Sequence, residues 1–365
     1  MRLRVVDVNF FLTNCRTRIP FRFGISTMTQ APLCVAQVKI ETEDGQIGEG
    51  LSSDLLVPKW FEKDPNKSLQ QDIELLLGSA QSAAKTVQGL PPDEVFALWR
   101  KLYESQVENK ARNSLADGFG VALMERAIID AACRLANLSF ADALRDDLFG
   151  FEAGCIHPEL DGLKPKDWLP STPLASVQVR HTIGLLDPLR TDQIDPADRV
   201  DDGLPQSLEE DIAVYGLQCF KIKLCGDRQA DLARLTEICS VMKDRVAGTP
   251  RFTVDANEQF QDLGELVALF DEFSKTEYGR AFQTQLIAIE QPLPRHMTFD
   301  AERNCELEQL TEVAPVLIDE ADATIDSFRQ AVALGYQGVS VKNCKGVFQA
   351  ILNHGLCQKI GNSCF

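Results

Sequence analysis

The chain has 365 residues, 44% of them hydrophobic, so it is long enough to bury a large core and to form two domains. Its formal net charge of −17 excludes nucleic-acid backbones and anionic membrane surfaces as natural partners. Eleven cysteines occur without a CxxC pair or a secretory leader, which predicts reduced, mostly buried thiols, and no apolar run approaches the roughly 20 residues that span a bilayer. The cytoplasm is the expected location.

Residues 1 to about 55 read as antiparallel strands. RVVDVNFFL and CVAQVKIETEDGQIGEG alternate, Asp44-Gly45 is a hairpin turn signal, and the polar, Gly-containing stretch Cys15 to Gln30 reads as a loop. Helical patterns follow over Leu69 to Val87, Asp93 to Val107 and Val121 to Leu138, with Pro91-Pro92 separating the first two. Strands followed by helices define an α+β unit, residues 1–145. A Pro- and Gly-rich connection, 146–175, leads to an alternating βα unit, 176–365, whose first strand reads as SVQVRHTIG. The acidic stretch Leu185 to Gln206 after that strand is long for a loop, which favours a lid or specificity role over a solvated insertion.

Five later strand-like segments each end in charge: FKIKL (Lys221, Lys223), FTVDAN (Asp255), IAIEQP (Glu290), VLIDE (Asp319) and GVSVK (Lys342). The intervals from Lys223 onward are 32, 35, 29 and 23 residues, about one βα unit each. Alternate strand residues face opposite sides, and every charged residue opposes its own apolar pair, such as Phe252 and Val254 against Asp255. Parity sends Glu320, next to Asp319, toward the helix layer. The series reads as a parallel barrel that gathers a metal site and two bases at the C-terminal rim, where barrel chemistry sits.

KxK, DAN, IEQP, LIDE and VKNCKG, in that order, resemble the enolase superfamily, and within it most closely the muconate lactonizing enzyme subgroup. The resemblance covers nearly the whole chain. It implies a (β/α) barrel with an N-terminal α+β capping domain, a small-molecule carboxylate substrate and a homo-oligomer at full length. Asp255, Glu290 and Asp319 would bind Mg2+, with Mn2+ as a substitute. Lys223 and Lys342 would act as acid and base from opposite sides, assisted by Lys221. Thr182, which parity turns inward, and Asn257 are expected at the substrate.

The residue types suit those roles independently of the family. Three carboxylates without histidine or thiolate favour a hard, oxygen-loving cation over zinc. Such a cation stabilises the charge that develops on oxygen when a proton α to a carboxylate is removed. Crowding Lys221 and Lys223 beside a cation is expected to lower their proton affinity and so make a base. Racemisation, epimerisation, cycloisomerisation and dehydration all remain open.

Plainer readings exist for each residue. Asp255, Asn257 or Asp319 could cap helices, Lys221 and Lys223 could lie on an exposed edge, and Lys342 or Lys345 could be solvated. Trp60, Phe61 and the Arg16 to Phe23 segment could cover the site or pack between domains. His157, His296 and His354 read as surface residues, and His181 faces outward with no catalytic role. Only 23 residues follow Lys342, enough for one helix, VFQAILNHGLCQKI. Six barrel strands are therefore expected where a closed barrel has eight, which implies truncation and two exposed sheet edges. An acid-sugar dehydratase of the same superfamily is a rival, opposed by Lys342 at the strand-six position. A truncated, inactive homologue is another.

Overall fold

A computed structural model of the chain describes residues 1–108 and 113–361. The N-terminal part opens with a long hairpin, β1 (Arg2–Phe23) and β2 (Ser26–Thr42), followed by β3 (Ile47–Leu55). Helix α1 (Leu69–Gln88), the short β4 (Asp93–Glu94), α2 (Val95–Tyr103), α3 (Ser114–Ala136) and α4 (Phe140–Arg145) complete it. The antiparallel order is β3-β2-β1-β4. Cys34, Ala36, Val38 and Ile40 of β2 are all buried, the period-two pattern of a sheet with one covered face.

Helix α3 covers that face at close range. A Cβ on Gly50 of β3 would fall 2.3 Å from Ala127 O, and one on Gly120 of α3 would fall 2.3 Å from Ser79 O of α1. Both contacts require glycine. Helix α1 begins with a capping box, in which Ser68 Oγ accepts from Gln71 N and Gln71 Oε1 accepts from Ser68 N. The stretch from Cys15 to Gln30, expected as a loop, is instead the paired end of the β1–β2 hairpin, turning at Gly24. Backbone pairing across the two arms, interrupted between Val5 and Asp7 and between Arg16 and Phe21, overrides the weak local pattern.

The second part winds β5 (Arg180–Ile183), α5 (Leu208–Tyr215), β6 (Cys219–Lys223), α6 (Arg228–Arg245), β7 (Arg251–Asp255), α7 (Leu263–Ser274), α8 (Gly279–Gln285) and β8 (Leu286–Glu290). Then come α9 (Leu307–Val313), β9 (Val316–Ile318), α10 (Ser327–Leu334), β10 (Gly338–Val339) and α11 (Val347–Ile360). Among the described residues the strands form one parallel six-stranded sheet, ordered β10-β9-β8-β7-β6-β5, with edges at β5 and β10. The first strand is shorter than SVQVRHTIG suggests, and Val177 and Val179 before it are exposed. Phe252 turns to the helix layer, stacking on Phe282 at 4.8 Å, as its parity requires. His181 also faces outward, 3.6 Å from Asp211 of α5.

Helix α11 joins the two parts. Phe348 packs against Phe96, Trp99, Phe149 and Phe151, with ring centroids 5.4 to 5.9 Å apart. Glu125 of α3, 1% exposed, accepts from Val347 N at 3.2 Å and Phe348 N at 2.5 Å. A carboxyl group from the N-terminal part thus accepts from the first N–H groups of a helix of the second. No described helix is long and apolar enough to cross a membrane. The ten described cysteines are free, and five of them are buried. His296 is exposed and His354 half-buried, but His157, expected at the surface, is fully buried among the short turns of 153–160.

Candidate functional site

The register of the parallel sheet assembles the site. Lys223 pairs across strands with Asp255, and Asp255 with Glu290, so three strand ends present charge at one level. Asp319 follows β9 directly, and Lys342 lies just beyond β10. One oxygen from each of Asp255, Glu290 and Asp319 lies within 4.8 Å of the others, and all three residues are buried. Sheet order sets the lysines on the two flanks, Lys221 and Lys223 on β6 and Lys342 after β10.

The ammoniums point inward. Lys221 Nζ lies 2.7 Å from Asp255 Oδ2 and 2.6 Å from Glu290 Oε2, and Lys223 Nζ lies 2.6 Å from Asp255 Oδ2 and from Asn257 Oδ1. Lys342 pairs with Asp319 and stands 3.3 Å from Glu290 Oε1. Lys345, considered above as a solvated side chain, is buried. It donates to Asp319 O at 2.8 Å and Ser340 O at 2.7 Å, and its Nζ is 3.1 Å from Asp319 Oδ1. β6 is an interior strand, so the exposed-edge reading of Lys221 and Lys223 fails.

The carboxylates themselves raise the proton affinity of Lys221 and Lys342. Burial pulls Lys221 and Lys342 down, but Asp255 and Glu290 for Lys221, and Asp319 and Glu290 for Lys342, outweigh it and raise both. For Asp255, burial opposes ionisation, yet Lys223 and Lys221 hold the carboxyl well below its ordinary range. Asp319 is likewise depressed, with Lys342 and Lys345 overcoming burial. Asp255 and Asp319 are therefore held in their ionised form.

Neither Asp255 nor Asp319 caps a helix. Asp255 Oδ1 accepts from Asn257 N at 2.8 Å, whereas α7 is capped by Asp262. Asn257, Glu258 and Gln291 have φ of +46°, +69° and +40°, left-handed values that non-glycine residues rarely adopt, and they lie just past Asp255 and Glu290. Gln291 explains its own strain. Its Oε1 accepts from Asp319 N at 2.7 Å and Ala321 N at 3.1 Å, while its Nε2 donates to Leu293 O and Thr298 Oγ1. It fixes the backbone that carries the third carboxylate.

Glu320 does not turn to the helices. Beyond the end of β9 parity lapses, and its Oε1 accepts from Asn257 Nδ2 at 3.2 Å with Lys63 3.6 Å away. Burial and then Asp319 push this carboxyl up to about 7. Sequence reasoning also missed Glu258 and Arg295. Arg295 grips Glu258 through Nε (2.9 Å) and Nη2 (2.8 Å), and donates to Phe61 O at 3.0 Å and Trp60 O at 2.9 Å. Lys63 pairs with Glu258 and donates to Asn257 O at 3.1 Å. These contacts latch the 57–68 loop onto the rim. The loop is stiffened from within by Lys59 Nζ, which donates to Asp64 O at 2.8 Å and Lys67 O at 2.6 Å. The sequence signal available was a conspicuous run of charged residues beside Trp60, without the distant partners.

A pocket of about 310 Å³ opens above the lysines. Thr182, paired in register with Lys221, lies in its wall together with Lys223 and Lys342, and Trp60, Phe61, Phe21 and Phe23 line it too. Asn257 is at the rim through Lys223 rather than in the wall. Trp60 lies over Lys342, with Nζ 5.6 Å from the ring centroid. The acidic stretch reaches the same region only at its two ends: Leu185 N donates to Arg22 O, and Asp202 holds Arg18 of β1 at 2.5 Å. Its middle packs on α5 and α6, through Thr191 to Glu209 and Arg190 to Ser240.

The donor set fits a hard divalent cation. It offers three carboxyl oxygens from rigid strand ends with no nitrogen or sulfur, and a small contraction of their spread reaches the roughly 2.0–2.6 Å ligand distances of magnesium or calcium.

Residues 204–364 match a family model described as "Enolase C-terminal domain-like". The fold is that of enolase-superfamily structures. A dipeptide epimerase from Enterococcus faecalis V583, complexed with Mg and L-Leu-L-Tyr, is 17% identical over 99% of this chain and 81% of its own, with a TM-score of 0.64. An enolase from Bradyrhizobium complexed with magnesium and mandelic acid is 14% identical over 100% of this chain and 81% of its own, with a TM-score of 0.66. An N-succinyl Arg/Lys racemase from Bacillus cereus ATCC 14579 is 16% identical over 100% and 79%, with a TM-score of 0.63. No curated protein sequence gives a match.

Proposed function

We propose that this chain is a magnesium-dependent enzyme that removes the proton α to a substrate carboxylate. Lys223 and Lys342 would serve as acid and base on the two sides, and Lys221 as their electrostatic partner. The observation that carries the reading is three buried carboxylates drawn together between lysines on flanking strands, with a pocket opening directly above them. A divalent cation held by Asp255, Glu290 and Asp319 would take up the carboxylate charge that raises the proton affinity of Lys221 and Lys342, and would stabilise the extra charge on the enolised substrate carboxylate. Mn2+ would substitute.

Within the chain, Lys223 is oriented by Asn257 Oδ1, and Lys342 by Ser340 Oγ at 3.2 Å and by the Trp60 face. A neutral lysine on one flank accepts the proton, and an ammonium on the other returns one to the opposite face. Two-sided transfer favours racemisation or epimerisation, and a substrate with a suitable leaving group would instead undergo cycloisomerisation or dehydration. Lysines at both flanking strand ends support the muconate lactonizing subgroup over an acid-sugar dehydratase. The division at 1–145 and 176–365, with the first part as cap, belongs to the same proposal, as do a cytoplasmic location and a homo-oligomer.

The test is exchange of a carboxylic acid's α-proton with solvent deuterium in the presence of magnesium. Lys223→Ala and Lys342→Ala are each expected to lower it by about 10²- to 10⁴-fold, the usual worth of a positioned acid or base. Cation binding without exchange for any acid would instead identify a homologue that keeps the carboxylates and has lost the reaction.

A further inference from the structure

Above the three lysines the pocket changes character. Phe21, Phe23 and Met28 come from the β1–β2 hairpin, and Trp60 and Phe61 from the latched loop. Phe21 faces Met28 across the hairpin and sits 5.7 Å from Phe23, while Trp60 meets Phe61 edge to face at 4.6 Å. These side chains line one pocket together with the three lysines, one apolar wall coming from the hairpin and the other from the loop. The hairpin wall is held by Arg18 on Asp202, Pro205 O and Leu204 O, and the loop wall by Arg295, so both are built surfaces.

The charges in the walls decide what can sit between them. Among the described lining residues, the cations are Lys221, Lys223 and Lys342, all at the floor. The acidic group in the lining is Asp54, whose Oδ2 accepts from Arg126 Nη2 at 2.9 Å and whose Oδ1 accepts from Leu55 N at 3.0 Å. A second carboxylate or a phosphate on the substrate would lie against ring faces and Asp54 with no cation to meet it, and would lose its hydration. A cationic tail would find Asp54 already paired. An uncharged apolar group would replace water on both walls.

We infer that the site takes a carboxylic acid carrying one negative charge, with a bulky, uncharged, apolar or aromatic group beyond the α-carbon, and that it discriminates against dicarboxylates and ω-amino acids. The cavity of about 310 Å³, roughly ten water volumes, fits a substituent the size of a single ring with its acid group. The inference rests on the reading of this pocket as the substrate site and names the substrate's chemistry.

Calorimetric titration of the protein with saturating magnesium tests it using three unreactive probes: 3-phenylpropanoate, pentanedioate and 6-aminohexanoate. 3-Phenylpropanoate is expected to bind at least tenfold more tightly than either of the others. Equal affinities, a reversed order, or no binding of 3-phenylpropanoate would overturn the inference. Phe21→Arg supplies the missing cation and should move the preference at least tenfold toward pentanedioate, and Met28→Lys, across the hairpin from it, should do the same. An unchanged preference in both folded variants would also overturn it. Exchange of the α-proton in N-acetylphenylalanine and N-acetylaspartate separates this inference from the reaction. The binding order without exchange removes the reaction and leaves the inference standing. Equal exchange of both acids removes the inference and leaves the reaction.

Discussion

Replacing Glu125 by glutamine should change how stability depends on pH, because this carboxyl joins the two parts of the molecule from a fully buried position. Burial pushes it from about 4.5 up to about 8, and the two backbone N–H donors of Val347 and Phe348 only partly offset that. A folded pKa above the unfolded one means the folded state holds the extra proton. The favourable contribution is complete below pH 4.5 and is lost as pH rises through 8. Across that window the wild type should lose up to about 1.4 kcal/mol per pH unit, or roughly 4 kcal/mol by pH 7.5 as an upper bound. Glutamine keeps an acceptor oxygen for α11 and carries no charge. Glu125→Gln should therefore match the wild type near pH 5 and exceed it near pH 7.5. Urea denaturation at pH 5, 6 and 7.5, followed by circular dichroism, reads the difference. Parallel stability profiles for the two proteins would refute the reasoning, since every other titrating group is common to both.

Arg295→Ala should free the 57–68 loop and leave Glu258 with Lys63 alone. A loss of about 3–5 kcal/mol, as for a broken buried pair, together with new proteolytic cleavage within that loop, is expected, and wild-type resistance to cleavage would contradict the latch. Gln291→Ala strips the acceptor from Asp319 N and Ala321 N. It should weaken magnesium binding about 10- to 100-fold, as removal of a ligand's support does, and unchanged affinity would count against its role. Lys345→Met removes a buried ammonium from Asp319 without touching the pocket. It should destabilise the fold by about 3–5 kcal/mol while cation binding persists, and loss of binding in the folded variant would place Lys345 among the groups the ion requires.

The charged strand ends were legible because parity is local: a two-residue period read within FKIKL or FTVDAN already states which face Lys223 and Asp255 share, and the sheet register then aligns them. Parity fails where strands stop, and so it misassigned Glu320, one residue beyond Asp319. The β1–β2 hairpin was hidden because its polar end is ordered by cross-strand pairing rather than by a buried stripe. The latch was out of reach for a different reason. Arg295 and Trp60 are 235 positions apart, and the bond between them uses a backbone carbonyl that leaves no trace in composition. Burial of His157 and Lys345 likewise depends on what folds over them, while Phe348 and Glu125 became readable as a joint only once α3 and α11 were seen together.

In the proposed reaction Asp255, Glu290 and Asp319 hold one divalent cation between the lysines. Calorimetric titration of magnesium into the wild type and into Asp255→Asn and Glu290→Gln tests it most directly. One ion per chain is expected in the wild type, with at least a hundredfold weaker binding in each variant. Wild-type protein that takes up no magnesium, or folded variants that bind it as well as the wild type, would rule out a cation at these three carboxylates.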